Sequence, residues 1–467
     1  MKQKFYILII VGFIVVSCDQ KKITFSNQTE FSYKNYILND DGTIQNTEIS
    51  INDFKPAKDC KTCHEEHYNE WSGSMHAYSM RDPIFFSGWN KEQLKRQDTG
   101  ERFCIQCHNP AAFVSGVNLA GIATAEELAA SDHPEVIKEG IGCTICHNIT
   151  ELSQTVHTNN SIAASAVFKM NPGDGVFYGS IKNPQPNEYH ESRYNPIFSR
   201  SEACLPCHDM TVRGVEAEIT FSEWNRIPGL AMGNLLSCQE CHMPLTNRPA
   251  ATGGPERLVH SHKFIGVDLD LSISAEENSQ YDEVIELLKN AVTLEFGTPL
   301  DSLSETIVPG DSLIIPLTIT SLTAHSLPSG VSFAREAWLE IVVADSTNNV
   351  LFESGTTTTN SSALDETDDN LLLFTSYLLD ESGDVTESVT DVHEIINNSL
   401  TAFSKRYYSY MIKTSDQYVG EINIQIRMLF RAFKPSLLQE DHPDLLENLP
   451  IFEMASIRDT VYIQNPQ

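Results

Sequence analysis

Five copies of one short pattern constrain this chain more than any other feature of it. Cys60-Lys61-Thr62-Cys63-His64, Cys104-Ile105-Gln106-Cys107-His108, Cys143-Thr144-Ile145-Cys146-His147, Cys204-Leu205-Pro206-Cys207-His208 and Cys238-Gln239-Glu240-Cys241-His242 all read Cys-x-x-Cys-His. Two cysteines at this spacing can form thioethers to the two vinyl groups of one haem, and the adjacent histidine reaches the iron from the same side. Zinc ribbons use paired cysteines but need no histidine after every pair. Disulfides suit an exported chain, yet they leave five identically placed histidines unexplained. With 11 cysteines and 15 histidines in 467 residues, chance supplies roughly 0.01 such patterns per chain. The count also closes, because five motifs use ten cysteines and Cys18 is the eleventh. The expectation is five covalent haem c groups, with His64, His108, His147, His208 and His242 as proximal iron ligands.

All of these motifs fall within residues 51–270. That is too little protein to insulate five haems from one another, so the macrocycles must supply much of the apolar core. The segment is expected to be a mainly α and irregular cytochrome c domain, with helical stretches near Glu65–Trp71, Asn90–Gln97 and Ala125–Ala130. Charge marks its end. Residues 51–270 carry 27 acidic and 18 basic side chains, whereas residues 271–467 carry 31 and 9. Residues 271–290 read as a linker helix, with Tyr281, Val284, Leu287 and Leu288 at helical spacing in Glu276–Asn290. Beyond it, Ser312–Thr320, Ala337–Val343, Val350–Ser354, Glu421–Phe433 and Val461–Gln464 are rich in Ile, Val, Leu and aromatics, and several alternate with polar residues. Such runs make half-buried strands, and Asp345–Asn349 reads as a hairpin loop between two of them. An all-β, sandwich-like domain is expected over 291–467. The acidic excess argues against nucleic acid as a partner.

The chain opens on the basic Met1-Lys2-Gln3-Lys4, followed by an apolar run from Phe5 to Val16. Twelve residues cannot span a bilayer, which needs ~20, so residues 1–17 read as a secretory signal. Val15-Val16-Ser17-Cys18 resembles the lipobox of bacterial lipoproteins, which implies a lipid on Cys18. Residues 18–50, polar and rich in Asn, Thr and Ser, then form a tether. The expected location is the bacterial cell envelope, lipid-anchored, on a periplasmic or cell-surface face. Haem attachment outside the cytoplasm agrees with export.

Each iron has a second axial position. A histidine there gives a low-spin iron suited to electron transfer, and an open position lets a small molecule react. Ten histidines lie outside the motifs. Here a family resemblance narrows the choice. Cys60-Lys61-Thr62-Cys63-His64 followed by Trp71, Ser72, Ser74, Met75, His76 and Ala77 resembles the opening of multihaem cytochromes of the cytochrome c554 type. The resemblance implies His76 as a distal ligand. It extends to His190, 14 residues before Cys204, and to Ser261-His262-Lys263-Phe264, with His260 as the rival of His262. Glu223-Trp224 and Met243-Pro244 also fit related sequences. Ala324-His325-Ser326-Leu327-Pro328-Ser329-Gly330, with Arg335 and Trp338-Leu339-Glu340, is similar to the start of a β-domain that often follows such haem domains. The usual wording there is Gly-His-x-Leu-Pro-Thr-Gly, and Ala324 and Ser329 depart from it. The resemblance covers residues 55–355 in patches, and it implies His325 as a further distal ligand.

For the fifth iron, His157, ten residues after His147, is the choice. His67 sits one helical turn from His64 and reads as lying beside a haem. His133, His393 and His442 read as surface histidines, and Met243 as packing. Asp365, Glu366, Asp368 and Asp369 read as a solvated loop in preference to a calcium site. Two functions compete. The first is electron transfer between redox partner proteins along closely spaced bis-histidine haems. The second is an oxidoreductase acting on a small nitrogen or sulfur compound at one open iron. The lysine-ended motif of pentahaem nitrite reductases is absent. A third reading makes the β-domain a docking module for a surface complex.

Overall fold

The computed structural model describes residues 31–39, 44–95, 102–154, 162–164, 166–230, 236–297 and 307–465. The signal, Cys18 and His157 lie outside the described residues. From Ser32 onward the chain forms one compact unit.

The first half is built from short helices joined by irregular chain and small sheets. Side-chain caps start several of the helices. Ser74 accepts the Ala77 N–H ahead of Met75–Tyr78, and Thr124 accepts the Glu127 N–H ahead of Ala125–Ala130. Asn109 does the same before Pro110–Val114, with Pro110 at the first helical position. Helix Pro83–Lys95 begins seven residues before the expected start at Asn90. Its first turns, Phe85 to Gly88, show no apolar periodicity that would announce them. Three motifs lie on short helices, Arg102–His108, Cys143–Cys146 and Cys238–His242, and the first begins in the last turn of Lys58–Lys61. The remaining one follows the 3-10 turn Ser201–Ala203. A helical turn brings positions three apart onto one face, so both thiols of a motif point the same way. Small sheets return the chain between motifs. Ile149–Gln154 pairs with Ala166–Met170, Val176–Gly179 runs parallel to Glu191–Tyr194, and Leu245–Pro249 pairs with Glu256–His260.

The second half is a sandwich of two sheets, with a further small sheet of Val385–Thr386, Ser376–Leu379 and Glu394–Asn397. Val292–Phe296, Ser312–Ser321 and Lys405–Lys413 form one. Val350–Ser354, Glu336–Asp345, Gly420–Arg431 and Phe452–Ile463 form the other, with Leu373–Phe374 pairing beside Val350–Ser354 on Glu336–Asp345. Alternate residues face inward. Leu313, Ile315, Leu317 and Ile319 from one sheet share a core with Leu339, Ile341, Val343, Ile422, Ile424 and Ile426 from the other. Inside the second sheet Arg431, fully buried, is bound by Glu336 and by the carbonyls of Asn360 and Ser362. The helix Tyr281–Lys289 is no free spacer, because Val284 and Leu288 are part of the sandwich core. Strand Phe452–Ile463 is three times the length of the expected Val461–Gln464, and strand Lys405–Lys413 corresponds to none of the expected runs.

Candidate functional site

The ten motif cysteines and five motif histidines line one continuous cavity of about 2010 Å³. Sites for one small organic ligand run to about 300–1,000 Å³, so this volume suits several large cofactors. His67, His76, His190, His260, His262, His325 and His442 line it too, whereas His133 and His393 do not. The acidic loop is engaged with itself. Asp365 accepts from Thr367, and Asp368 from Ser354 and Asn370. Among the described residues no group of His, Cys, Asp and Glu converges to hold a bare metal ion.

The ring nitrogens are set for iron. Nδ1 of His64 lies 2.8 Å from the Ala250 carbonyl and Nδ1 of His147 lies 2.6 Å from that of Tyr178. Nδ1 of His242 meets the Ile265 carbonyl. A carbonyl can only accept, so each Nδ1 carries the proton and each Nε2 keeps its lone pair for a metal. The same holds opposite them, where His262 Nδ1 meets its acceptor, the His260 carbonyl, at 3.0 Å, and His325 Nδ1 meets that of Ser326 at 2.9 Å. Burial keeps the rings neutral. It pushes His76 and His262 down to about 3 and His108 and His208 down to about 4.

Ring separations test whether a haem iron fits between the histidines. Two imidazoles on opposite faces of one iron, each bonded at about 2.0 Å, hold their centroids roughly 6.3 Å apart. His64 and His190 stand 6.2 Å apart, His147 and His262 6.0 Å, and His242 and His325 6.3 Å, with ring planes 30°, 15° and 20° from parallel. The donor sets therefore fit the group that the motifs call for. Three of the expected distal histidines face three motif histidines, and His262, not His260, is the one opposite His147.

Each facing histidine is held by its own local structure. Asn187 accepts the His190 N–H, and Phe177 on the parallel strand pair packs edge-on against its ring at 5.1 Å. Hairpin Leu245–His260 delivers His262, whose N–H donates to Glu70. The His325 loop crosses from the sandwich to the haem region. Glu223 on helix Thr220–Asn225 accepts the Ser326 N–H at 3.0 Å and the Ser329 hydroxyl at 2.7 Å. Arg335 locks the same junction through Asp268 with two bonds of 2.8 and 2.9 Å.

His76 is arranged differently. It is buried beside His208 and His108. The Ser79 hydroxyl donates to both the His76 and His108 carbonyls, at 3.0 and 3.1 Å. Ser79 thus ties the two backbone segments together, and His76 lies near both His208 and His108. Phe85 stacks on His108 at 4.0 Å and 14°. The attachment sites also touch one another. Cys60 lies beside Cys143, Cys107 beside Cys207, Cys204 beside Cys238, and Cys146 near Cys207. The first motif therefore adjoins the third, the third adjoins the fourth, and the fourth adjoins both the second and the fifth. His442 corrects a sequence expectation: it lines the cavity, bonded through Nε2 to Ser87 at 2.7 Å.

Residues 59–148 match the family described as cytochrome c554 and c-prime. No curated protein matches the chain. Among solved structures, a penta-haem cytochrome c552 from Thermochromatium tepidum aligns over 88% of this chain and 100% of its own, with TM-score 0.60 and 19% identity. A family 123 glycoside hydrolase from Clostridium perfringens aligns over 38% of this chain and 27% of its own at 11% identity, and its TM-score of 0.16 carries no weight.

Proposed function

We propose that this multihaem c-type cytochrome carries five covalent haem c groups and passes electrons among them, tethered to an envelope membrane by a lipid on Cys18. Cys60, Cys63, Cys104, Cys107, Cys143, Cys146, Cys204, Cys207, Cys238 and Cys241 hold the groups. The observation that carries the reading is the set of three histidine pairs spaced at 6.0–6.3 Å across the cavity. Bound haem c supplies a one-electron ferric–ferrous couple. The chain's own part is to orient and to exclude. Carbonyls on Nδ1 fix the tautomer and direction of His64, His147, His242, His262 and His325, so a change of charge at the iron finds these ligands already in place. His64 with His190, His147 with His262, His242 with His325 and His208 with His76 would fill both axial positions of four sites and keep small molecules off them.

Contact between the attachment sites makes them a connected series with a branch at Cys204–His208. Two of its three ends open to solvent, one near Tyr189, 83% exposed, beside His190, and one at the exposed Cys241. Those ends suit a donor and an acceptor protein. The membrane tie rests on the sequence of residues 1–18, and among the described residues no helix is long and apolar enough to cross a membrane. Cys18→Ala should release the protein from membranes or block its processing, and unchanged membrane association would point to another anchor. Ligand binding tests the carrier role. The reduced protein should take up little carbon monoxide, nitrite or hydroxylamine. Tight binding to the wild type would favour an oxidoreductase acting on a small nitrogen or sulfur compound.

A further inference from the structure

The histidine pairs leave the iron site of Cys104, Cys107 and His108 without a described partner ring. His76 is assigned to His208 in the reading above, and His190, His262 and His325 face other motifs. His67 packs on His262 at 4.6 Å, and His260 is bonded to the Met243 carbonyl next to the fifth motif. That leaves His442 among the described cavity histidines. We propose that His442 is the second axial ligand of the iron held by His108, a proposal that rests on the haem reading above.

Helix Pro83–Lys95 connects the two histidines. Phe85 lies flat against the His108 ring. Gly88, one turn on, lines the cavity with nothing within 4 Å of where a Cβ would stand, which leaves open space against the helix backbone for a flat group. Ser87, beside it, bonds His442 Nε2, the nitrogen a haem ligand presents. The segment carrying His442 is docked firmly onto this helix. Leu438, Leu445 and Leu449 form a buried cluster with Leu271, against which Ile84 packs. Lys91 pairs with Asp441 at 2.6 Å. The His442 N–H donates to the Leu438 carbonyl, and its own carbonyl accepts from Leu445. The backbone is thus fixed at the cavity wall, and only the imidazole has to turn. In doing so Nε2 gives up the Ser87 hydroxyl and offers its lone pair to iron, while Nδ1 keeps the proton. The C-terminal half would then supply two ligands, His325 and His442, to opposite ends of the branched series.

The test uses the full-length haem-loaded protein, with haem attachment mapped by peptide mass and iron spin states counted by paramagnetic resonance. The wild type should have all five irons low-spin. His442→Ala should turn one of the five high-spin and let the reduced protein bind one carbon monoxide per chain. His442→Met should keep that iron low-spin and raise one reduction potential, as methionine ligation does. A His442→Ala spectrum identical to the wild type would overturn the proposal, whether all five irons stay low-spin or one was high-spin from the start. A missing haem on Cys104 and Cys107 would overturn the five-haem reading with it. Five mapped haems and an unmoved spectrum would overturn the ligand assignment alone.

Discussion

The sandwich and the haem region place their apolar side chains in opposite ways. Between the two sheets, Leu313, Ile315, Leu317 and Ile319 meet Leu339, Ile341, Ile424 and Ile426, and the interior closes on itself. In residues 51–270, Trp71, Phe85, Phe103, Phe198 and Phe264 face the cavity instead. Clusters there are small, such as Ala57, Trp71 and Ala77. One region supplies its own core. The other supplies a lining, and the burial that stabilises it is completed by haem. A large apolar cavity left without contents forfeits contacts on every wall, so the two regions should respond differently to loss of cofactor.

The sharpest break would come from replacing Cys63, Cys107, Cys146, Cys207 and Cys241 with alanine together. Residues 51–270 should lose hydrogen-exchange protection, while Glu336–Asp345 and Gly420–Arg431 keep theirs. Uniform loss along the chain would abolish the contrast. Glu336→Ala strikes the other region. It strands the buried Arg431 guanidinium without its carboxylate, and losing one partner of such a pair costs about 3–5 kcal/mol. The sandwich should melt earlier in calorimetry while the haem absorption of the folded protein stays unchanged. His325→Ala probes where the regions meet. Haem content should hold and one iron should turn high-spin, and a spectrum identical to wild type would remove His325 from the site. The smallest effect belongs to Arg335→Ala, which removes a two-bond pair between buried Arg335 and half-buried Asp268. Asp268 keeps access to water when its partner is lost, so the drop in denaturation midpoint should be smaller than that of Glu336→Ala.

The same contrast explains what was legible in the sequence. The haem motifs are local words, so spacing alone located them. The histidines proposed as distal ligands lie far from their motifs in the chain, and spacing says nothing about them. A family resemblance points to His76, His190, His262 and His325, and nothing in the sequence points to His442, more than 300 residues from His108. In the sandwich, strands that alternate cleanly were found. Lys405–Lys413 was missed because Tyr407 and Met411 are apolar on its outer face while Tyr408, Tyr410 and Ile412 fill the inner one, which erases the period of two. Phe452–Ile463 was truncated because its register shifts opposite Met428 and Leu429. Inward positions change phase there from Phe452 and Met454 to Ala455 and Ile457, and the alternation breaks mid-strand.

The intact mass of the purified, fully matured protein tests the central claim most directly, read beside a haem stain after denaturing electrophoresis. Five haems should remain on each polypeptide. Four or fewer would contradict the account.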